Sequence, residues 1–265
     1  MERDYVLGTH DEEVARLGLQ HRVWRPRALD AWRRAGFNVG QTVLDLGCGP
    51  GFATQDLAEI AGPSGSVVGI DRSRRFLDVV AARRLDNVIT HELDLDESDL
   101  PRIDADRVWV RWVFAFVKRP RDLLVKVRDV MKRGGVLVAH EYFDYRTWRL
   151  SPRSADHEGF VDAVMESWRA TGGEPDVGLD LPRWLNELGF EIRELRPIID
   201  VITPADFVWQ WPKAFIGNGL ARLVELGGLT QDRAARVQAS FDAAEAAPNT
   251  IMTTPAVLEI IATKR

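Results

Sequence analysis

Three glycines at every second position, Gly47, Gly49 and Gly51, break an apolar run in the segment TVLDLGCGPGF, residues 42–52. Glycines so spaced let a backbone take positive φ and lie against a ligand with no Cβ in the way. A helix starting near Phe52 would turn its free N–H groups toward the same point, which makes this a nucleotide-type site. A dinucleotide fingerprint needs its third glycine one place later, where Phe52 stands, and a phosphate-binding P-loop needs a Gly-Lys-Ser or Gly-Lys-Thr that is absent here. The only cysteine, Cys48, lies inside the loop and reads as a small loop residue rather than a nucleophile. A second titratable cluster, His140-Glu141-Tyr142, ends a later apolar stretch. It is not the start of an H-E-x-x-H zinc site, because position 144 is Asp. The histidines, at 10, 21, 91, 140 and 157, show no metal-ligand spacing, so no metal is expected.

Alternating elements must position these groups. Val43, Leu44 and Leu46 read as a buried strand, followed by a helix to about Ala61, a strand Ser66–Asp71, and a helix capped by Ser73. Strands then follow near 88–93, 107–111 and 136–142. The helix carrying Leu123, Leu124, Val127, Val130 and Met131 closes at Gly134-Gly135. This rhythm predicts an α/β fold with a mostly parallel sheet covered on both faces. Ligands bind at the carboxyl edge of such a sheet, where His140, Glu141 and Tyr142 fall; alternation sends His140 and Tyr142 one way and Glu141 the other.

The remaining segments read as coverings. Residues 9–35 look helical, with Thr9 and Glu12 in capping-box spacing and Pro26 splitting the stretch into two helices. Helical stretches are expected at 154–171 and 181–188, a strand at 191–203, a helical segment opening at Thr203-Pro204, and a last strand at 250–263. The organisation expected is one domain. Residues 1–35 form an N-terminal cover, 36–142 the core, 143–180 and 204–248 helical insertions, and 190–203 with 250–265 a terminal strand pair.

The 265 residues carry a net charge of −5 and 45% apolar residues, the profile of a globular chain and one that disfavours a nucleic-acid partner. No apolar stretch is long enough to span a bilayer, the N-terminus lacks a secretory h-region, and a single cysteine fits a reducing compartment, so a cytoplasmic location without membrane contact is expected. Most of the nine tryptophans read as packing residues. The rest are available to wall an aromatic or cationic acceptor pocket.

VLDLGCGPG resembles the first motif of the class I S-adenosylmethionine-dependent methyltransferases, and MKRGGVLVAHEY resembles that family's segment before strand five, with Lys132-Arg133 in place of the usual Lys-Pro. The likeness covers roughly residues 36–142. It implies a Rossmann-like seven-stranded sheet ending in a reversed hairpin, S-adenosylmethionine as cofactor and S-adenosylhomocysteine as product. It also implies a donor site at Asp45, Gly47, Cys48, Gly49 and Gly51, with Asp71 and Arg72 at the ribose, Asp94 and Leu95 at the adenine, and Arg111 near the methionine group. The metal-dependent members would carry acidic residues where Arg111, Trp112 and Val113 stand. The acceptor implied is a small, apolar or aromatic molecule, methylated at O, N or C. Tyr5, Gln20, His21 and Trp24 would close over the cofactor, with Trp112 and Trp211 at the substrate. His140, Glu141 and Tyr142 are weak candidates for a base, and a monomer or homodimer is expected. Plainer alternatives stand beside these: a tight turn for the glycines, a helix cap for Asp71, a solvated acidic loop for Asp94. A nicotinamide-dependent oxidoreductase and a cofactor-binding regulatory protein of the same fold are the alternative functions.

Overall fold

The structure, a computed structural model, describes residues 11–265. Seven strands form one sheet in the order β3-β2-β1-β4-β5-β10-β7: β1 Thr42–Leu46, β2 Ser66–Asp71, β3 Val88–Glu92, β4 Ala105–Arg111, β5 Met131–Asp144, β7 Phe190–Ile198 and β10 Ala256–Lys264. β10 runs antiparallel to both neighbours, β5 and β7; all the other pairings are parallel. This is the Rossmann-like methyltransferase sheet with its reversed terminal hairpin. The chain leaves β1 in one direction and β4 in the other, so a crevice opens between their carboxyl ends.

Helices cover both faces. On one side, α1 (Asp11–Ala35) and α2 (Phe52–Ala61) bury Trp32, Leu57 and Ala61 against Val43, Val67 and Val138. On the other, α4 (Pro120–Asp129) and α6 (Leu181–Glu187) pack Leu124, Val127 and Leu185 on Leu44, Val108 and Leu137. α3 (Arg74–Ala81) begins at Ser73, whose hydroxyl accepts the Phe76 N–H.

A third, aromatic core lies above the carboxyl edge of the sheet. It joins α5 (Ala155–Ala170), α7 (Gln210–Glu225) and α8 (Gln231–Ala246) through Phe160, Phe215 and Phe241. A small sheet, β6-β9-β8 (Arg149–Ser151, Ile251–Thr253, Val201–Ile202), braces it from below.

Several expectations need correction. α1 is one helix with Pro26 inside it rather than two helices. Pro26 and Arg22, whose carbonyl loses its partner, both face solvent, where water replaces the missing hydrogen bond. The stretches expected as single strands at 191–203 and 250–263 each divide, and their outer parts leave the main sheet as β8 and β9. Pro255 cannot donate a ladder hydrogen bond at one break, and Asp200 and Thr254 bond each other across it, Asp200 N–H to Thr254 Oγ1 at 3.0 Å and Thr254 N–H to the Asp200 carbonyl at 3.0 Å. Helix α4 stops at Asp129, so Val130 and Met131 lie outside it, and Met131 opens β5. The segment after Thr203 starts as a turn in which Asp206 accepts the Thr203 hydroxyl, and α7 begins only at Gln210.

α1 is fastened to the sheet by charge. Arg34 reaches Glu194 of β7 and Glu259 of β10, Arg27 reaches Asp200 at 2.5 Å, and Arg25 and His21 share Asp56 of α2 at 2.8 and 3.0 Å.

Candidate active site

A cavity of about 540 Å³ opens at the carboxyl ends of β1, β2 and β4. Its volume falls within the range of small-molecule sites. Two contiguous halves have different chemistry.

The first half is polar and is built on the glycine loop. Gly47 and Gly49 take φ of +66° and +53°, and the Gly49 N–H donates to Asp71 Oδ2 at 2.9 Å. Asp71 Oδ1 accepts the Ser73 N–H at 2.8 Å, so this carboxylate holds the turn on either side and still borders the cavity. Burial raises its pKa against those bonds. Asp45, Cys48, Arg72, Asp94 and Leu95 line the same half, as do Phe76, Leu93, Asp96 and Glu97. Asp94 Oδ1 also accepts the Asp96 N–H at 3.0 Å, so the acidic loop is an ordered turn.

Asp45 is buried, pushed up to about 6 by that burial, and receives the Thr54 hydroxyl at 2.6 Å. Facing it, Arg111 is brought down to about 10 by burial, with the charge of Asp45 working in the opposite sense. The guanidinium lies over the rings of Trp112 and Trp109, 5.1 and 5.7 Å from their centroids, and its Nη1 is buried with no hydrogen-bond partner. Burial pushes the Cys48 thiol up, which keeps it protonated and un-nucleophilic.

The second half is aromatic. Trp112, Phe116, Tyr142, Trp168 and Phe215 wall it, with Gln20, His21 and Arg16 of α1 above. Trp112 stacks on Tyr142 (5.3 Å, 14°), and Phe116 meets Trp168 at 4.6 Å. His21 stacks on Phe52 at 6.0 Å; burial lowers its pKa, against the pull of Asp56, so the ring is neutral at neutral pH. Trp112 has φ +52°, a left-handed backbone that costs a bulky residue about 1–3 kcal/mol.

Of the expected site residues that the structure describes, most are gathered here, with five exceptions. Gly51 points away: at φ +75° a Cβ there would sit 2.5 Å from Val80 Cγ2, so its task is packing α2 against α3. Trp24 is buried in edge contact with Trp112 and Trp211, 5.0 Å from each, and Trp211 stacks behind Trp112 at 5.7 Å; both back the wall without lining it. His140 is turned away from the cavity, against Trp109 and Glu259, whose Oε2 lies 3.0 Å from its Nε2. Glu141, wholly buried, accepts backbone N–H groups. Of the three candidate bases only Tyr142 borders the cavity. Tyr5 lies outside the described residues.

Sequence reasoning did not single out Arg16, Phe116, Lys118 or Thr171 as site residues, although all four border the cavity. Phe116 and Lys118 follow β4 closely, and that proximity to a strand's carboxyl end was the available signal. Among the described residues no cluster of three or more His, Cys, Asp or Glu is placed to hold a metal ion, and no helix is long and apolar enough to cross a membrane.

Residues 44–139 match the family model described as a methyltransferase domain. Together with the seven-stranded fold, this match makes the chain similar to the class I S-adenosylmethionine-dependent methyltransferases over that segment. Among known proteins, an uncharacterized 37.1 kDa protein in a Streptomyces fradiae transposon is 31% identical over 175 residues, covering 63% of this chain and 48% of that protein. A demethylmenaquinone methyltransferase of Staphylococcus aureus is 33% identical over 125 residues, covering 46% of this chain and 50% of that protein. The chain thus spans about half the length of these two relatives. A putative methyltransferase from Bacillus halodurans superposes with a TM-score of 0.59 at 15% identity, over 89% of this chain and 97% of that one, which shows a shared fold.

Proposed function

We propose that the chain transfers a methyl group from S-adenosylmethionine to an O, N or C atom of a small, planar, largely apolar molecule. One observation carries this reading: a single cavity joins a glycine-and-carboxylate half to an aromatic half. In the first half, Asp71 takes the ribose hydroxyls and Asp94 and Leu95 the adenine. Asp45 faces the donor's ammonium, and the unpartnered Nη1 of Arg111 faces its carboxylate. Gly49, with no Cβ, would let the donor's methionine chain lie on the backbone. When bound, the cofactor supplies a methyl group already activated by the sulfonium.

The chain's own residues then have two tasks, to align the acceptor with that methyl and to keep water out. Phe116, Trp168 and Phe215, with the stacked pair Trp112 and Tyr142, give an aromatic lining for a planar acceptor, and Gln20 and His21 of α1 cover it from above. The π faces that hold the acceptor also attract a sulfonium. The demethylmenaquinone methyltransferase relative supports an acceptor with a flat ring. A neutral His21 and Tyr142 are the titratable groups at hand should the acceptor have to lose a proton.

The test is an assay of S-adenosylhomocysteine formation from S-adenosylmethionine with pooled quinols, phenols and aromatic amines. Acceptor-dependent product supports the reading. Tight cofactor binding without turnover on any pool contradicts it and favours a cofactor-binding protein of the same fold.

A further inference from the structure

Glu141 is a buried acid that the mechanism above does not use, and Trp112 is a bulky residue in a left-handed backbone at the wall of the site. The two are connected. β4 ends at Arg111, and the next three backbone N–H groups all turn toward β5. The Trp112 N–H donates to the His140 carbonyl at 3.0 Å. Those of Val113 and Phe114 donate to a single atom, Glu141 Oε1, at 2.7 and 2.9 Å. Glu141 Oε2 is buried with no hydrogen-bond partner, and the side chain does not border the cavity.

Both sides of the site depend on this turn. Val113 presses on the glycine loop so closely that a Cβ on Gly47 would lie 2.4 Å from its Cγ2. Trp112 is held as the middle ring of a stack between Tyr142 and Trp211, 14° from parallel with each. A backbone in a sparsely populated conformation persists only where its surroundings over-determine it.

We propose that Glu141 is a positioning residue. By accepting the backbone N–H groups that follow Trp112 it clamps the turn after β4, setting the Trp112 wall of the acceptor half and the Val113 floor beneath Gly47, and it exchanges no proton with the acceptor. The inference rests on the methyl-transfer reading for its division of the cavity into donor and acceptor halves.

The geometry makes this separable from an acid–base role. Glutamine keeps a carbonyl oxygen where Oε1 stands and can accept both N–H groups; leucine fills the space and accepts neither. The experiment compares the wild type, Glu141→Gln and Glu141→Leu by calorimetric titration with S-adenosylhomocysteine and by near-UV circular dichroism, which reports the stacked indoles. Glu141→Gln is expected to stay within about threefold of wild-type affinity and to keep the near-UV spectrum. Glu141→Leu is expected to bind roughly thirtyfold more weakly, the scale of two lost hydrogen bonds, and to lose the indole signal while far-UV ellipticity is kept. A glutamine variant as impaired as the leucine variant, or a leucine variant equal to wild type, overturns the proposal.

Should Glu141→Leu fail to fold, hydrogen exchange at the Val113 and Phe114 amides decides. Wild-type protection in Glu141→Gln supports the clamp, and its loss there overturns it. A wild-type chain that does not bind S-adenosylhomocysteine would remove the donor reading, yet the near-UV and exchange measurements would still report on the clamp.

Discussion

The Gly49 N–H donates to Asp71 Oδ2 at 2.9 Å, so the loop after β1 and the carboxylate after β2 are one mechanical unit. Asp71 thus holds the loop in shape, in addition to the ribose contact proposed for it. Asp71→Ala is expected to weaken S-adenosylhomocysteine binding by about 1.5–3 kcal/mol, the scale of hydrogen bonds lost to a charged group. Asp71→Asn, which keeps one acceptor oxygen, should lose less. Calorimetric titration checks both, and an unchanged affinity in the alanine variant would remove Asp71 from the site.

The glycines of the loop separate by mechanism. A Cβ on Gly47 would strike Val113, whereas one on Gly49 would meet no protein atom within 4 Å and would project from a residue that borders the cavity. Gly47→Ala should therefore lower stability by roughly 2 kcal/mol or more, through left-handed strain together with overpacking. Gly49→Ala should cost only the strain, about 1–2 kcal/mol, yet lose most of its affinity for the cofactor. Urea denaturation beside calorimetry distinguishes the two patterns; equal stability losses with equal affinities would contradict the assignment.

His140 is structural in this arrangement. It pairs with Glu259 between β5 and β10, and the other oxygen of that carboxylate holds Arg34 of α1. Glu259→Ala leaves a half-buried guanidinium and a buried imidazole without their shared partner and should destabilise the chain by about 3 kcal/mol in urea titration. The affinity of the folded fraction for S-adenosylhomocysteine should stay near that of wild type, because none of the three residues borders the cavity. A large loss of affinity at unchanged stability would point instead to a role for His140 at the site.

His157, buried beside Trp148 at 5.0 Å, is brought down to about 4 by burial. The unfolded chain binds its proton near pH 6.5 and the folded chain only near pH 4, so stability falls as pH drops between those values. His157→Leu removes this dependence, while the buried carboxylates, common to both chains, cancel in the difference. Relative to the variant, wild type should lose up to about 3 kcal/mol between pH 6.5 and 4 in urea midpoints. Parallel pH profiles would show that His157 is protonated as easily in the folded chain.

The half of the cavity proposed for the donor was legible in the sequence because it is local. One loop and two strand ends carry it, and the φ demanded at Gly47 and Gly49 selects the residue type directly. The acceptor half was not, since Phe116, Trp168 and Phe215 come from three distant segments whose meeting depends on how α5 and α7 dock on the sheet. Alternation placed Glu141 opposite His140 and Tyr142, but a strand buried on both faces has a core on either side, and alternation alone does not say which face opens on a cavity. Pro26 misled for a related reason. Its helix-breaking tendency is real, and an exposed position on a helix strapped down by Arg25, Arg27 and Arg34 leaves that tendency too weak to act.

The measurement that bears most directly on the central claim is calorimetric titration of the wild-type chain with S-adenosylmethionine and S-adenosylhomocysteine. The account predicts saturable binding of both at one site per chain, with 5′-methylthioadenosine, which lacks the amino acid faced by Asp45 and Arg111, bound more weakly. Failure of a folded chain to bind either cofactor form at high micromolar concentration would contradict it.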